Sequence, residues 1–82
     1  MPTLAPEVIL YGRAGCHLCD EARRAILDFG EVELREVDIE SDDVLFRAML
    51  ERIPVVEVAG RVVSELEFDR DAFSDALHTV SP

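Results

Sequence analysis

Eighty-two residues, 49% of them hydrophobic, suffice for one small domain with a thin core, and residues 1–82 read as a single unit. A formal charge of −10, from 18 acidic against 8 basic residues, argues against nucleic acid and anionic membrane surfaces as partners. No apolar run approaches the roughly 20 residues of a membrane span, so a membrane role is not expected.

The first residues, Met1 to Pro6, read as a short irregular lead-in without the basic, apolar character of a secretory signal. Val8-Ile9-Leu10-Tyr11 is a continuous apolar run, the pattern of a central strand covered on both faces. Gly12 and Gly15 mark the loop after it. Apolar residues then fall at Leu18, Ala22, Ala25, Ile26 and Phe29, a helical stripe with Cys19 beside it. Asp20 and Arg24 are spaced as an acid-first i, i+4 pair on the wet side, and Gly30 is placed as a left-handed cap.

Residues 32–39 predict a second strand. Its apolar phase slips between Val32/Leu34 and Val37/Ile39, which predicts a bulge or a strand shorter than the run. Ser41-Asp42-Asp43 supplies a cap and first-turn acids for a second helix, with Val44, Leu45, Ala48 and Met49 as its apolar face. Ile53-Pro54 ends that helix and opens the run Val55–Val58. Ala59-Gly60 is a tight turn, and Arg61–Ser64 returns as the partner strand of a hairpin. Phe68-Asp69 opens a third helix, with Ala72, Phe73, Ala76, Leu77 and Val80 on one face; His78 favours its C-terminal end. The predicted order is βαβαββα, an α/β fold with a four-stranded mixed sheet flanked by helices.

The chemistry concentrates at Gly12-Arg-Ala-Gly-Cys-His-Leu-Cys-Asp20, which holds both cysteines. With Cys16 opening the helix, Cys19 lies one turn along on nearly the same face, and the sulfurs come within reach of each other. Cys16 then faces unpaired N–H groups at the positive end of the helix dipole, a place that stabilises a thiolate. C-x-x-C between a strand and a helix reads as a redox motif. The alternative is a structural pair, or two cysteines acting as small hydrophobes. Two cysteines at this spacing are too few for a secreted disulfide scaffold, which favours a reducing cytoplasm. Cys16, Cys19 and His17 fall short of the four ligands of a structural zinc site, and no resident metal is expected. The acidic clusters at 36–43 and 65–71 read as solvated surface.

Tyr11–Asp20, joined to Arg52-Ile-Pro-Val-Val56 one helix and one strand later, resembles the glutaredoxin-like group of thioredoxin-fold proteins over residues 8–80. It is particularly similar to small bacterial domains carrying Cys-His-Leu-Cys-Asp-Glu-Ala, here residues 16–22. The resemblance implies a thiol–disulfide oxidoreductase without a resident cofactor, a monomer acting on disulfide-containing proteins or small thiols. It assigns Cys16 as nucleophile and Cys19 as resolving cysteine, and makes Pro54 a cis proline opposite the pair. Backbone groups of Ile53 would hold a substrate strand, Tyr11 matches an aromatic ending the first strand, and Arg13 matches a cation that pairs with a glutathione carboxylate. His17 replaces the usual proline after the first cysteine; it reads either as a nearby cation that tunes the thiolate or as an exposed helix-start residue with little effect, since its charge also opposes the helix dipole.

Ser64 and Glu65 stand where the family has two glycines that receive the γ-glutamyl end of glutathione, which predicts weak use of glutathione as co-substrate. From a different class, the alternative function is a non-catalytic binding module, or a metal or iron–sulfur carrier bridged between two chains.

Overall fold

The computed structural model describes residues 5–30 and 32–80, with the side chain of Val80 outside that description. The expected roles of Met1–Leu4 as lead-in and of Val80 on the last helix therefore fall outside the described residues. The elements are β1 (Glu7–Gly12), α1 (His17–Asp28), β2 (Glu33–Asp38), a 3-10 turn (Ile39–Ser41), α2 (Asp43–Met49), β3 (Val55–Val58), β4 (Arg61–Glu65) and α3 (Arg70–Val80). The predicted order βαβαββα is present, with the 3-10 turn added.

The four strands form one mixed sheet in the order β2-β1-β3-β4. β1 runs parallel to β2, from Glu7 opposite Glu33 to Gly12 opposite Asp38. On its other side β1 is antiparallel to β3, with Leu10 opposite Val56 and Tyr11 opposite Val55. Because side chains alternate along a strand, Val8, Leu10, Val56 and Val58 share one face. There they bury with Ala22 and Ile26 of α1 and Phe73 of α3. The Phe73 ring meets Phe29 edge-on at 4.9 Å and Phe68 at 5.2 Å. On the opposite side Val55, Ile39, Ile53 and Cys19 form a second cluster, against which Tyr11, Cys16 and the α2 residues Leu45, Phe46 and Met49 pack.

Of the two expectations for the second strand, the shorter strand holds and the bulge does not: β2 stays in register along its six residues and ends at Asp38. Other details differ from the expectations. Ile39 reaches the core because the chain turns into the 3-10 helix, whose start the Asp38 carboxylate caps by accepting from Glu40 N at 2.8 Å. The bulge lies in β4 instead, where Val56 pairs with Ser64 and Glu57 with Val62, leaving Val63 extra. The hairpin turn places Ala59 and Gly60 at φ 51° and 83°, the paired left-handed conformation of a two-residue hairpin loop.

The second helix starts later than expected, because Ser41 belongs to the 3-10 turn and Asp42 is its cap, accepting from Val44 N at 2.7 Å. With only seven residues it rests on the sheet through Leu45, Phe46 and Met49, leaving Ala48 and Val44 in solvent, Val44 76% exposed. The expected pair of Asp20 with Arg24 is replaced by Asp20 with Arg23 at 3.0 Å, because Arg23 also reaches Glu36 of β2 at 2.7 Å. Those two acids hold the Arg23 guanidinium above its ordinary pKa, the Glu36 hydrogen bond being the larger cause. Leu18, expected within the buried stripe, is exposed at the start of α1.

Candidate functional site: the cysteine pair and the Ile53-Pro54 edge

The site forms where β1 feeds α1 and where α2 feeds β3. Gly12 closes β1, and Gly15, at φ 76°, turns the chain toward the helix. Cys16 is the N-cap, in extended conformation, one residue before α1. Its Sγ accepts from Cys19 N at 3.1 Å, and its carbonyl accepts from Asp20 N at 3.1 Å. The first cysteine is thus the side-chain acceptor of a helix start, the position that ordinarily holds Ser or Asp.

Cys16 and Cys19 are joined as a disulfide, with Cα atoms 5.2 Å apart. Cys16 is half-buried and Cys19 is 1% exposed. The inner sulfur has its room because residue 12 is glycine: a Cβ there would lie 3.0 Å from Cys19 Sγ and 3.2 Å from Cys19 Cβ. Gly12 is a site residue beyond those inferred from sequence, where it reads only as a loop marker. A glycine ending a strand also signals close approach by another atom, and that was the available clue.

The Ile53–Pro54 peptide bond is cis, and Pro54 is buried. Ile53 belongs to the cluster that Cys16 and Tyr11 pack against, so these expected site residues are brought together. Burial, reinforced by the nearby Glu57 carboxylate, raises the Tyr11 phenol above its ordinary pKa, with Arg35 opposing. The backbone around Ile53 is partly spent within the chain. Ile53 N donates to Met49 O at 3.0 Å, and Leu66 N donates to Arg52 O at 3.0 Å.

The remaining expected residues are less free than sequence suggests. Arg13 pairs with Glu40 at 3.0 Å and lies over the Phe46 ring at 5.9 Å. His17, with a side chain 87% exposed, faces Glu21 at 3.1 Å along the helix. Ser64 is buried and ties the loop before α3: its Oγ donates to Glu67 O and accepts from Asp69 N, both at 3.0 Å. Glu65 takes Arg52 in a two-pronged grip, Nε to Oε1 and Nη2 to Oε2, each 3.0 Å. That hydrogen-bonded guanidinium holds the Glu65 carboxyl below its ordinary value, so the grip is intact above the ordinary glutamate pKa and opens as pH falls through the lowered one. Among the described residues no three His, Cys, Asp or Glu side chains converge as metal ligands, and no helix is long and apolar enough to cross a membrane.

A half-buried helix-start sulfur, a buried partner sulfur one turn inside, and a cis proline just before β3, after an Ile53 that packs with them, match the thioredoxin-like fold. Solved structures agree. A protein of Nitrosomonas europaea superposes with a TM-score of 0.75 at 26% identity, covering 94% of this chain and 96% of that one. A protein of X. campestris does so at 0.76 and 31% identity, covering 89% and 97%. The glutaredoxin of Brucella melitensis shares the fold at a TM-score of 0.60 and 24% identity, covering 98% and 83%. The chain belongs to the glutaredoxin-like domain family (DUF836), whose match spans residues 7–78. No curated protein sequence matches it significantly. Family and cysteine pair together support a redox-type role.

One consequence of the cap geometry is measurable. In the reduced protein a Cys16 thiolate receives the Cys19 N–H and the positive end of α1, and a hydrogen bond to the charged form lowers a pKa. The Cys16 pKa is expected below the free value of about 8.5. Thiolate ultraviolet absorbance against pH, with Cys19→Ser isolating the outer sulfur, reads it directly. A midpoint at or above the free value would show that the nearby acids Asp20 and Glu21 outweigh the helix start.

Proposed function

We propose that this chain is a thiol–disulfide oxidoreductase that reduces protein or small-molecule disulfides through the Cys16/Cys19 dithiol. The observation that carries the reading is the cap: one sulfur accepts a helix N–H at the surface while the other is buried directly behind it. In the reaction, the Cys16 thiolate attacks one sulfur of a substrate disulfide. The substrate S–S bond breaks, a mixed disulfide forms on Cys16, and the first substrate thiolate leaves and takes up a proton. Cys19 then loses its proton and attacks Cys16 Sγ, releasing the second substrate thiol. The Cys16–Cys19 disulfide forms, and the protein has given two electrons and two protons to the substrate. A dithiol reductant restores it by the reverse exchange. A reducing cytoplasm and a monomeric chain suit this cycle.

Glutathione is the poorer reductant in this proposal. The backbone that would receive its γ-glutamyl end carries the Ser64 and Glu65 side chains, one knitted into the loop and the other gripping Arg52. Each lost hydrogen bond costs about 0.5–1.5 kcal/mol, whereas an exposed pair with Arg13 returns at most about 1 kcal/mol and first requires Glu40 to let go.

The test is steady reduction of hydroxyethyl disulfide, driven either by dithiothreitol or by glutathione with its reductase. Turnover with dithiothreitol and little with glutathione is the expected result. Glu65→Gly, which clears the backbone and frees Arg52 for a carboxylate, should raise the glutathione-driven rate and leave the dithiothreitol-driven rate nearly unchanged. An inert pair under both reductants would instead favour a binding module.

A further inference from the structure

Beside the cysteine pair the protein leaves a groove open to solvent, of about 310 Å3, between the starts of α1 and α3, part apolar and part charged. Leu18, Ala25 and Phe68 line it together with two acids, Glu21 and Glu67, and one cation, Arg70. Leu18 sits in the first turn after Cys16 and is 41% exposed. Leu66, 51% exposed, donates its N–H to Arg52 O and so stands next to Ile53, whose cluster Cys16 packs against. Exposed apolar side chains thus lie on the helix that Cys16 caps and on the segment just after β4.

Charge tells what would cover them. Residues 65–71 place acids at Glu65, Glu67, Asp69 and Asp71, with Arg70 as the one cation among them. Arg70 lies over the Phe29 ring at 5.1 Å. Glu65 is answered by Arg52 and Asp69 by Ala72 N, but among the described residues no cation pairs with Glu67 or Asp71. Among the described residues Glu21 pairs only with the exposed His17. The whole chain adds its −10 to the same sign.

We infer that this groove docks a basic, apolar protein segment, and that disulfides flanked by Lys or Arg are the preferred substrates. The inference rests on the oxidoreductase reading above and names its substrate class. An apolar side chain of the segment covers Leu18 and Phe68, while its cations meet Glu67, Glu21 and Asp71. Such complementarity acts mainly on encounter, raising association rates by about tenfold or more at low salt. It also works against small anionic disulfides, which meet the same field with the wrong sign.

The experiment is a single-turnover reaction of the pre-reduced protein, so that no second reductant enters. Two disulfide-linked peptide dimers share one leucine-containing sequence, with lysines beside the cysteine in one and glutamates in the other. Each rate is divided by that with neutral dithiothreitol, which removes the intrinsic reactivity of the peptide. The lysine peptide is expected to react about tenfold faster at low salt, the gap closing at about 1 M salt, where screening acts within about 3 Å. Glu67→Gln with Asp71→Asn should shrink the gap while leaving the rate with hydroxyethyl disulfide unchanged. Leu18→Ser should slow both peptides and spare that small substrate. Equal normalised rates, or a faster glutamate peptide, overturn the inference while reduction of hydroxyethyl disulfide still upholds the oxidoreductase. Failure on all three disulfides overturns both.

Discussion

Replacing Cys16 with serine is expected to abolish disulfide reduction, whereas replacing Cys19 with serine should leave a protein that captures its substrate and cannot release it. The asymmetry follows from position. Cys16 is the half-buried N-cap whose sulfur meets the Cys19 N–H, and Cys19 is closed off from solvent behind it. An incoming disulfide can be attacked only by the outer sulfur, and the mixed disulfide so formed can be resolved quickly only by the inner one. Mass spectrometry after incubation with hydroxyethyl disulfide distinguishes the two roles. The Cys19→Ser protein should gain one mercaptoethanol adduct on Cys16, and the Cys16→Ser protein none. An adduct on Cys19 in the Cys16→Ser protein would reverse the assignment.

The second large effect is on stability. Phe73 has no exposed surface and is held between Phe29 and Phe68 over the sheet residues of the main core. Its truncation to alanine removes a ring and leaves a cavity that a core this thin refills poorly, at a cost of about 3–5 kcal/mol. Domains of this size have only about 5–15 kcal/mol in total, and each kcal/mol lowers Tm by about 4–8 °C. A fall of more than about 12 °C in thermal unfolding by circular dichroism is therefore expected. Val44→Ala is the contrast. Periodicity puts Val44 on a buried face, but it is 76% exposed, so its loss should stay within about 0.5 kcal/mol. Comparable losses for the two variants would mean that the packing described for α2 is wrong.

That contrast shows how far local pattern reaches. Helical stripes long enough to average over several turns read well: Ala22, Ile26 and Phe73 are buried as their spacing predicts. In the seven-residue α2 the same rule misplaces Val44 and Ala48 and omits Phe46. A helix of two turns can roll on the sheet, and only the neighbours that meet it choose the buried face. The second strand is a related case. Its phase slip is visible in the residues, but whether a bulge or a turn absorbs it depends on whether β1 holds β2 in register, which it does along the whole strand.

At the site, the cysteine spacing, the strand before it and the helix after it are local features, and they are legible in a single sequence. The place of Ile53-Pro54 against the pair follows from the family resemblance and not from periodicity. The fold gives several of these residues partners within the chain that sequence reading does not reach. Arg13 holds Glu40, the Ile53 N–H bonds to Met49 O, and Ser64 is an interior hydrogen-bonding residue.

By itself, then, the order of residues determines the element types, the helix caps at Asp42 and Gly30, and the redox-capable pair at the start of α1, because each depends on neighbours within one or two turns. Tertiary structure decides which cation answers which acid. Arg23 with Glu36 and Arg52 with Glu65 each join residues 13 positions apart. Those pairs exist only because the register of β2 against β1, and the extra Val63 in β4, bring the carboxylates to the right edge of the sheet. One residue of slip in either strand would turn each carboxylate to the opposite face, because side chains alternate with a period of two, and what holds the register is the burial of one face against the neighbouring elements.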